Sequence, residues 1–250
     1  MNKIIMGFSY NGKYFKGWQK QKNILTLQEY IEIILSLILG YNVNIISSGR
    51  TDKGVHSIEQ IINFNIKKNI KLKYLINSIN YYIKINIKIL WAQNIPLYFN
   101  SRKKSIIRNY RYIIYNNKNN ALFLKNKIFY IKKNININKI NNIKKKLIGM
   151  KNYNFCRTIN KNIKNTIKYI FDIKIFKYNK FIIFDISANS FLYNMIRYLI
   201  GFLIIKQNLI YKNKYKIIAP AYGLYFIKSY YPKKFFIKYN KININSNYCK

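Results

Sequence analysis

Six carboxylates stand against 46 Lys and Arg in this chain of 250 residues, so each acid can be questioned in turn as a reacting group. Glu29 and Glu32 belong to a helical stretch, where capping and a solvated face account for them. Asp172 and Asp185 fall one on each strand of a predicted hairpin, and Glu59 opens a strand. Asp52 differs, because it sits in Ser47-Ser48-Gly49-Arg50-Thr51-Asp52-Lys53-Gly54-Val55-His56. Two glycines flanking Arg-Thr-Asp-Lys describe a backbone that turns tightly and lets another group approach closely. On residue types alone the favoured reading is a polar loop whose Asp makes an Asx turn.

Other chemistries lack their residues. One histidine (His56) and two distant cysteines (Cys156, Cys249) make neither a structural zinc site nor a disulfide scaffold. Calcium and two-metal centres need clustered carboxylates. The expectation is chemistry without a metal. A net charge of +40 attracts any polyanion in reach. The charge has a plainer source too: 40 Lys, 52 Ile and 38 Asn are the amino acids of A- and T-only codons. An AT-rich genome explains the lysines better than it explains the shortage of acids, so a nucleic-acid partner leads modestly. Arginine is informative against that background. Only six are present, and Arg197 stands where lysine would be the cheap choice, which hints at a need for a planar, always-charged fork.

These side chains need elements to position them. Ile4 to Tyr10 reads as a strand ending at an Asn11-Gly12 turn, and Thr26 to Leu39 as a helix with Thr26 and Glu29 as its capping box. A strand at Asn44 to Ser47, a loop Ser48 to Ser57, a strand near Gln60 to Asn65, a helix Leu72 to Tyr82 and a strand Ile85 to Ala92 complete the first half. Beyond it, Tyr110 to Tyr115 alternates as a strand and Ile140 to Leu147 is helical. Thr166 to Tyr178 and Lys180 to Ser187 form a hairpin, Ser190 to Lys206 a helix and Ala221 to Lys228 a last strand. On the helix, Phe191, Met195, Tyr198 and Phe202 mark an apolar face, with Ser190, Asn194, Arg197 and Gly201 beside it. The content predicts an α+β fold in two halves, residues 1–100 and 101–250. Neither apolar run, Ile31 to Leu39 nor Phe191 to Ile205, reaches the ~18 uninterrupted residues of a membrane span. No membrane partner and a cytoplasmic location are expected.

Five ordered motifs carry a resemblance. Gly49-Arg50-Thr51-Asp52-Lys53-Gly54-Val55-His56 resembles the GRTDxGVH signature of the tRNA pseudouridine synthase A family. Tyr10-Asn11-Gly12 with Phe15-Lys16-Gly17-Trp18-Gln19-Lys20-Gln21 resembles that family's opening segment, and Arg108-Asn109-Tyr110-Arg111-Tyr112 its central strand. Phe191-Leu192 through Met195-Ile196-Arg197 and Gly201 resembles its F-x-x-x-M-[VI]-R-x-x-x-G helix, and Ala219-Pro220-Ala221 with Gly223-Leu224-Tyr225 its closing strand.

The resemblance implies two ferredoxin-like halves sharing a mostly antiparallel sheet with helices on one side, and an active-site cleft between them. It implies a cofactor-free isomerase that converts uridine to pseudouridine at positions 38, 39 and 40 of a tRNA anticodon stem-loop, acting as a homodimer. It further implies that Asp52 is the nucleophile, that Arg197 pairs with it, that Tyr110 stacks on a flipped-out uracil and helps remove its C5 proton, and that Arg50 supports the displaced backbone or fills the space the base leaves. Arg102, Lys103, Lys104, Arg108 and Arg111 then read as a phosphate-tracking cluster beside Tyr110, and His56 as a structural loop residue. Departures are Lys53 and Ser57 where small residues are usual, Asn11 in place of Asp, and a span from Gly201 to Ala219 about fifteen residues short by analogy with the family's layout. The tail Tyr239 to Lys250 is expected to fray. The competing readings are a non-catalytic basic RNA-binding protein, which would have no need to keep Asp52, Tyr110 and Arg197 together, and a synthase for a uridine of another RNA.

Overall fold

Ile4, Met6 and Phe8 point to one face of the first strand and Ile5 and Gly7 to the other, the period-2 alternation that buries a sheet on both sides. The computed structural model describes residues 2–84, 86–119, 122–159, 165–206 and 217–239. Most of the span between Gly201 and Ala219 that is expected to be short, and the whole tail after Tyr239 including Cys249, lie outside the described residues.

The first half runs β1 (Asn2–Tyr10), α1 (Leu27–Leu39), β2 (Ile46–Ser47), β3 (His56–Ile66), α2 (Leu72–Tyr82) and β4 (Ile87–Ile95). The second runs β5 (Ile107–Asn116), β6 (Phe129–Ile131), α3 (Ile137–Lys145), β7 (Gly149–Asn152), β8 (Ile167–Tyr178), β9 (Phe181–Ala188), α4 (Met195–Lys206) and β10 (Leu224–Tyr230). All ten strands join one sheet in the order β4-β1-β3-β10-β5-β9-β8-β7, with β2 attached to β3 and β6 to β5. Pairing along the central path is antiparallel except between β3 and β10.

Register places the helices. Directly opposed residues share a face, and Tyr10, Ser57, Phe226, Tyr110 and Ile186 form one row across β1, β3, β10, β5 and β9. Tyr10 belongs to the core under α1 and α2, built from Leu27, Ile31, Leu35, Leu75 and Ile79. Tyr110, Phe226 and Ile186 belong to the core under α3 and α4, with Ile140, Leu199 and Leu203. The four helices therefore cover the same face, and the α+β expectation is met. A smaller cluster of Ile5, Ile61, Ile95, Phe99, Tyr231 and Phe235 lies on the opposite face.

Thr26 caps α1 by accepting from the Glu29 amide. Two acids differ from expectation. Glu32 is buried and accepts from the Gln28 amide and the Ile45 backbone, so it ties α1 to the chain before β2. Glu59 is fully buried on the face away from the helices, where Trp91 Nε1 donates to it at 2.6 Å and Lys228 Nζ stands 3.2 Å away. That ion pair crosses from β3 to β10, whose own ladder is two residues long, and Ser57 Oγ donates across the same junction to the Phe226 carbonyl. α4 begins at Met195 and not at Ser190, because Asn194 takes a left-handed conformation at φ 61°. A turn over residues 192–195, closed by the Met195 amide donating to the Leu192 carbonyl, opens the helix, and Phe191 just before it lies edge-on to Tyr110.

Candidate active site

The loop between β2 and β3 lies above the central row of the sheet, and its backbone is held on every side. Ser48 N–H donates to the Ile61 carbonyl, and Ser48 Oγ to Gln60 Oε1. The same Gln60 donates to the Gly49 carbonyl, so one buried amide holds both residues that open the loop. Asp52 accepts from the Val55 amide through its carbonyl, which closes the turn.

The segment after β1 is threaded against this loop. A Cβ on Gly12 would sit 2.0 Å from the Val55 carbonyl oxygen, so only glycine fits. Gly17, at φ 99°, lies against Thr51 and Lys53, and Trp18 N–H donates to the Thr51 carbonyl. Tyr10 OH and Thr51 Oγ1 share a 2.7 Å hydrogen bond beneath. The Asx-turn alternative for Asp52 is answered by its side chain, which pairs with a helix residue 145 positions away: Arg197 Nη1 stands 3.5 Å from Asp52 Oδ2.

Arg197 is itself fixed. Its Nε donates to the Ala219 carbonyl at 2.7 Å and its Nη1 to Asn194 Oδ1 at 2.9 Å. A lysine ammonium has no second arm for that grip. The Asp52 carboxyl is 20% exposed, and burial lifts its pKa above the ordinary aspartate value, while the charge and hydrogen bonding of Arg197 pull it back. An acid so placed keeps its charge through one partner.

Tyr110 on β5 lies deep in the wall, 7% exposed, edge-on to Phe191 and Phe226 at 5.2 and 5.0 Å between ring centres. Burial drives its pKa far above the ordinary tyrosine value, so the phenol stays protonated. Asp52, Tyr110 and Arg197 line one cleft of about 740 Å³. Arg50, exposed, lines it too, close enough to Arg102 that the second guanidinium adds to burial in lowering its pKa. Lys16, Lys53 and Lys168 complete a cationic rim. All four sequence-predicted site residues are thus brought together.

The basic cluster beside Tyr110 divides. Arg102 and Arg108 line the cleft, but Arg108 spends its fork on backbone: Nε on Ser48, Nη1 on Asn189 and Nη2 on Arg102 carbonyls. It staples the Asp52 loop to the turn before α4, a positioning role that sequence reasoning missed. Arg111 does not face the cleft. Strand alternation turns it to the opposite face, where it forms a bidentate pair with Asp185 at 2.6 Å. His56 Nδ1 accepts from the Gly12 amide and its ring stacks on Tyr225, with burial lowering its pKa, so it acts as a neutral spacer under the loop. Among the described residues no group of three His, Cys, Asp or Glu is placed to hold a metal, and no helix is long and apolar enough to cross a membrane.

Comparison with known proteins adds an independent line. A family model described as tRNA pseudouridine synthase matches residues 143–232. The tRNA pseudouridine synthase A of Buchnera aphidicola (subsp. Acyrthosiphon pisum, strain APS) is 33% identical over 246 residues, spanning 93% of this chain and 92% of its own. That of Borrelia turicatae is 36% identical over 244 residues, spanning 92% and 100%. That of Thermoanaerobacter sp. (strain X514) is 31% identical over 247 residues, spanning 92% and 100%. A solved Cbf5-Nop10-Gar1 complex superposes over 89% of this chain and 57% of its own with 9% identity and a TM-score of 0.41, too loose to carry an argument.

Proposed function

Because the chain belongs to the tRNA pseudouridine synthase A family, we propose that the cleft isomerises uridine to pseudouridine in tRNA, with positions 38, 39 and 40 of the anticodon stem-loop as its substrates. The observation that carries this reading is the Asp52–Arg197 ion pair, formed at the bottom of a cationic cleft beside Tyr110.

The reaction breaks the N1–C1′ bond, turns the uracil, joins C5 to C1′, and exchanges the proton lost from C5 for one gained at N1. Atoms and electrons balance within the nucleoside, so the chain needs to supply a carboxylate, a fitted space and a grip on the backbone. Asp52 is the nucleophilic carboxylate, and Arg197 keeps it ionised and aimed. A base inside a stem is out of reach, so the uridine is drawn out of its stack into the cleft. Tyr110 offers an aromatic wall to the flipped base. Protonated at rest, its phenol is a hydrogen-bond donor beside that base. Arg50 faces the displaced strand from the rim. Three neighbouring target positions fit recognition by shape and backbone rather than by base identity. The same reading takes residues 1–100 and 101–250 as the two halves around the cleft, and the protein as a cytoplasmic homodimer.

The test is site-by-site mapping of pseudouridine in an unmodified tRNA incubated with the protein. Conversion at 38 to 40 is expected. Tight, salt-sensitive binding with no conversion at any uridine would leave the non-catalytic RNA-binding alternative, and conversion elsewhere would reassign the substrate.

Removal of the counter-charge gives a sharper result. Asp52 must be ionised to act, and its folded pKa is already raised, so the rate falls as pH drops through that raised value. In Arg197→Gln the only opposing influence is lost. The acid limb of kcat/KM is expected to move to higher pH by about one unit or more, with the neutral-pH rate reduced about 10- to 100-fold. Arg197→Lys should restore part of the limb. An unmoved limb would show that Arg197 does not govern the carboxylate.

A further inference from the structure

Forty lysines conceal any that have a particular task, and the loop geometry singles out two. The segment after β1 and the Asp52 loop are locked together by the Gly12–Val55 approach, by Gly17, where an added Cβ would lie 3.3 Å from Lys53 N, and by the Trp18–Thr51 hydrogen bond. The residues flanking that lock, Lys16 and Lys53, consequently emerge side by side on one rim of the cleft, both exposed. Side-chain contact with Lys16 and its positive charge lower the pKa of the Lys53 ammonium. No ion pair reaches either lysine among the described residues, and the adjacent acid, Asp52, is engaged by Arg197.

Two flexible, solvated side chains have room to part, yet their backbones hold them together beside the reacting carboxylate. Such a pair is ill-tempered alone and satisfied by an anion between its members. Resting on the synthase reading, we propose that Lys16 and Lys53 together clamp one phosphodiester next to the flipped nucleotide, a backbone-binding subsite on the Gly17 side of the cleft. Arg50 and Arg102 line the same cleft. Gln19 and Gln21, on the same segment as Lys16, also line the cleft and add neutral donors beside the clamp. The subsite carries no base readout. It fixes where the strand lies relative to Asp52, and Lys16 and Lys53 are positioning residues.

The experiment measures binding of an unmodified tRNA across a salt series, together with KM and kcat, for Lys16→Ala/Lys53→Ala. The control is Lys67→Ala/Lys68→Ala, which removes the same charge from exposed positions beyond the far end of β3. The clamp variant is expected to bind about tenfold more weakly, with a log K against log salt slope shallower by about one, and with KM rising in step. The control should stay within about twofold of the parent, and Lys16→Arg/Lys53→Arg should retain binding. Equal losses in the two alanine variants would reduce the pair to bulk charge and overturn the proposal, as would a clamp variant within twofold of the parent. A protein that binds tRNA but converts no uridine would sink the synthase reading while the binding comparison still decides the clamp.

Discussion

Asp52→Asn is expected to lower kcat for pseudouridine formation by at least about 10⁴-fold, the scale on which loss of a nucleophile is felt, while tRNA binding persists. The amide keeps the shape and nearly all the packing of the carboxyl but cannot attack. Stability should move the other way. The folded-state pKa of Asp52 is raised, so the folded protein binds a proton more readily than the unfolded chain does. Stability then declines as pH rises from the unfolded value of Asp52 through the folded one, and at neutral pH the ionised group is a net cost. Removing the charge lifts that cost, and a melting curve at neutral pH should show an unchanged or higher Tm for Asp52→Asn. Retention of activity within tenfold of the parent would remove Asp52 from the chemistry. A sharply lower Tm would assign the residue to structure.

Lys228→Met is expected to destabilise the protein by about 3–5 kcal/mol, because it strips a fully buried carboxylate of its counter-charge. Glu59 retains the Trp91 donor, which stabilises one oxygen and cannot neutralise the charge. Methionine fills a similar volume, so the loss reports electrostatics more than a cavity. The ammonium also lies 4.5 Å from the Tyr239 ring centre, a smaller contribution. Pairing the change with Glu59→Gln should recover much of the loss. Denaturant unfolding of the two singles and the double measures the coupling, and additive effects would show that the pair does not act as one.

The elements and the four site residues were legible for different reasons. β1, α1, α2 and the β8–β9 hairpin follow from hydrophobic period and turn residues, and the sheet's later strands from alternation. Asp52, Arg50, Tyr110 and Arg197 were found through ordered motifs, since none stands out by residue type except against a lysine-rich background. That background makes arginine legible. Of the six, Arg50 and Arg102 line the cleft, Arg108 staples three carbonyls, Arg111 pairs with Asp185, Arg157 donates to Asn154 and Arg197 holds Asp52. The argument that promoted Arg197 applied equally to Arg108. Arg111 was misplaced by nearness in sequence to Tyr110, although adjacent strand residues face opposite ways. Glu32 reads as part of a solvated helix face and Glu59 only as the opening of a strand, and the burial of both is fixed by tertiary partners that sequence does not show. The start of α4 was hidden because Phe191, Met195, Tyr198 and Phe202 keep helical spacing across Asn194, whose backbone does not continue the helix.

β10 is among the last segments of the chain, yet it lies at the middle of the sheet, between β3 and β5. During synthesis the strands on both sides leave the ribosome long before their common neighbour, and each presents an open edge until residues 224–230 arrive. The part that carries Asp52 can collapse over its own helices while it waits, but the seam between β3 and β5 cannot close. A nascent chain of this topology depends on slow, long-range pairing at its last step, and truncation just before β10 leaves two sticky half-sheets rather than a smaller enzyme.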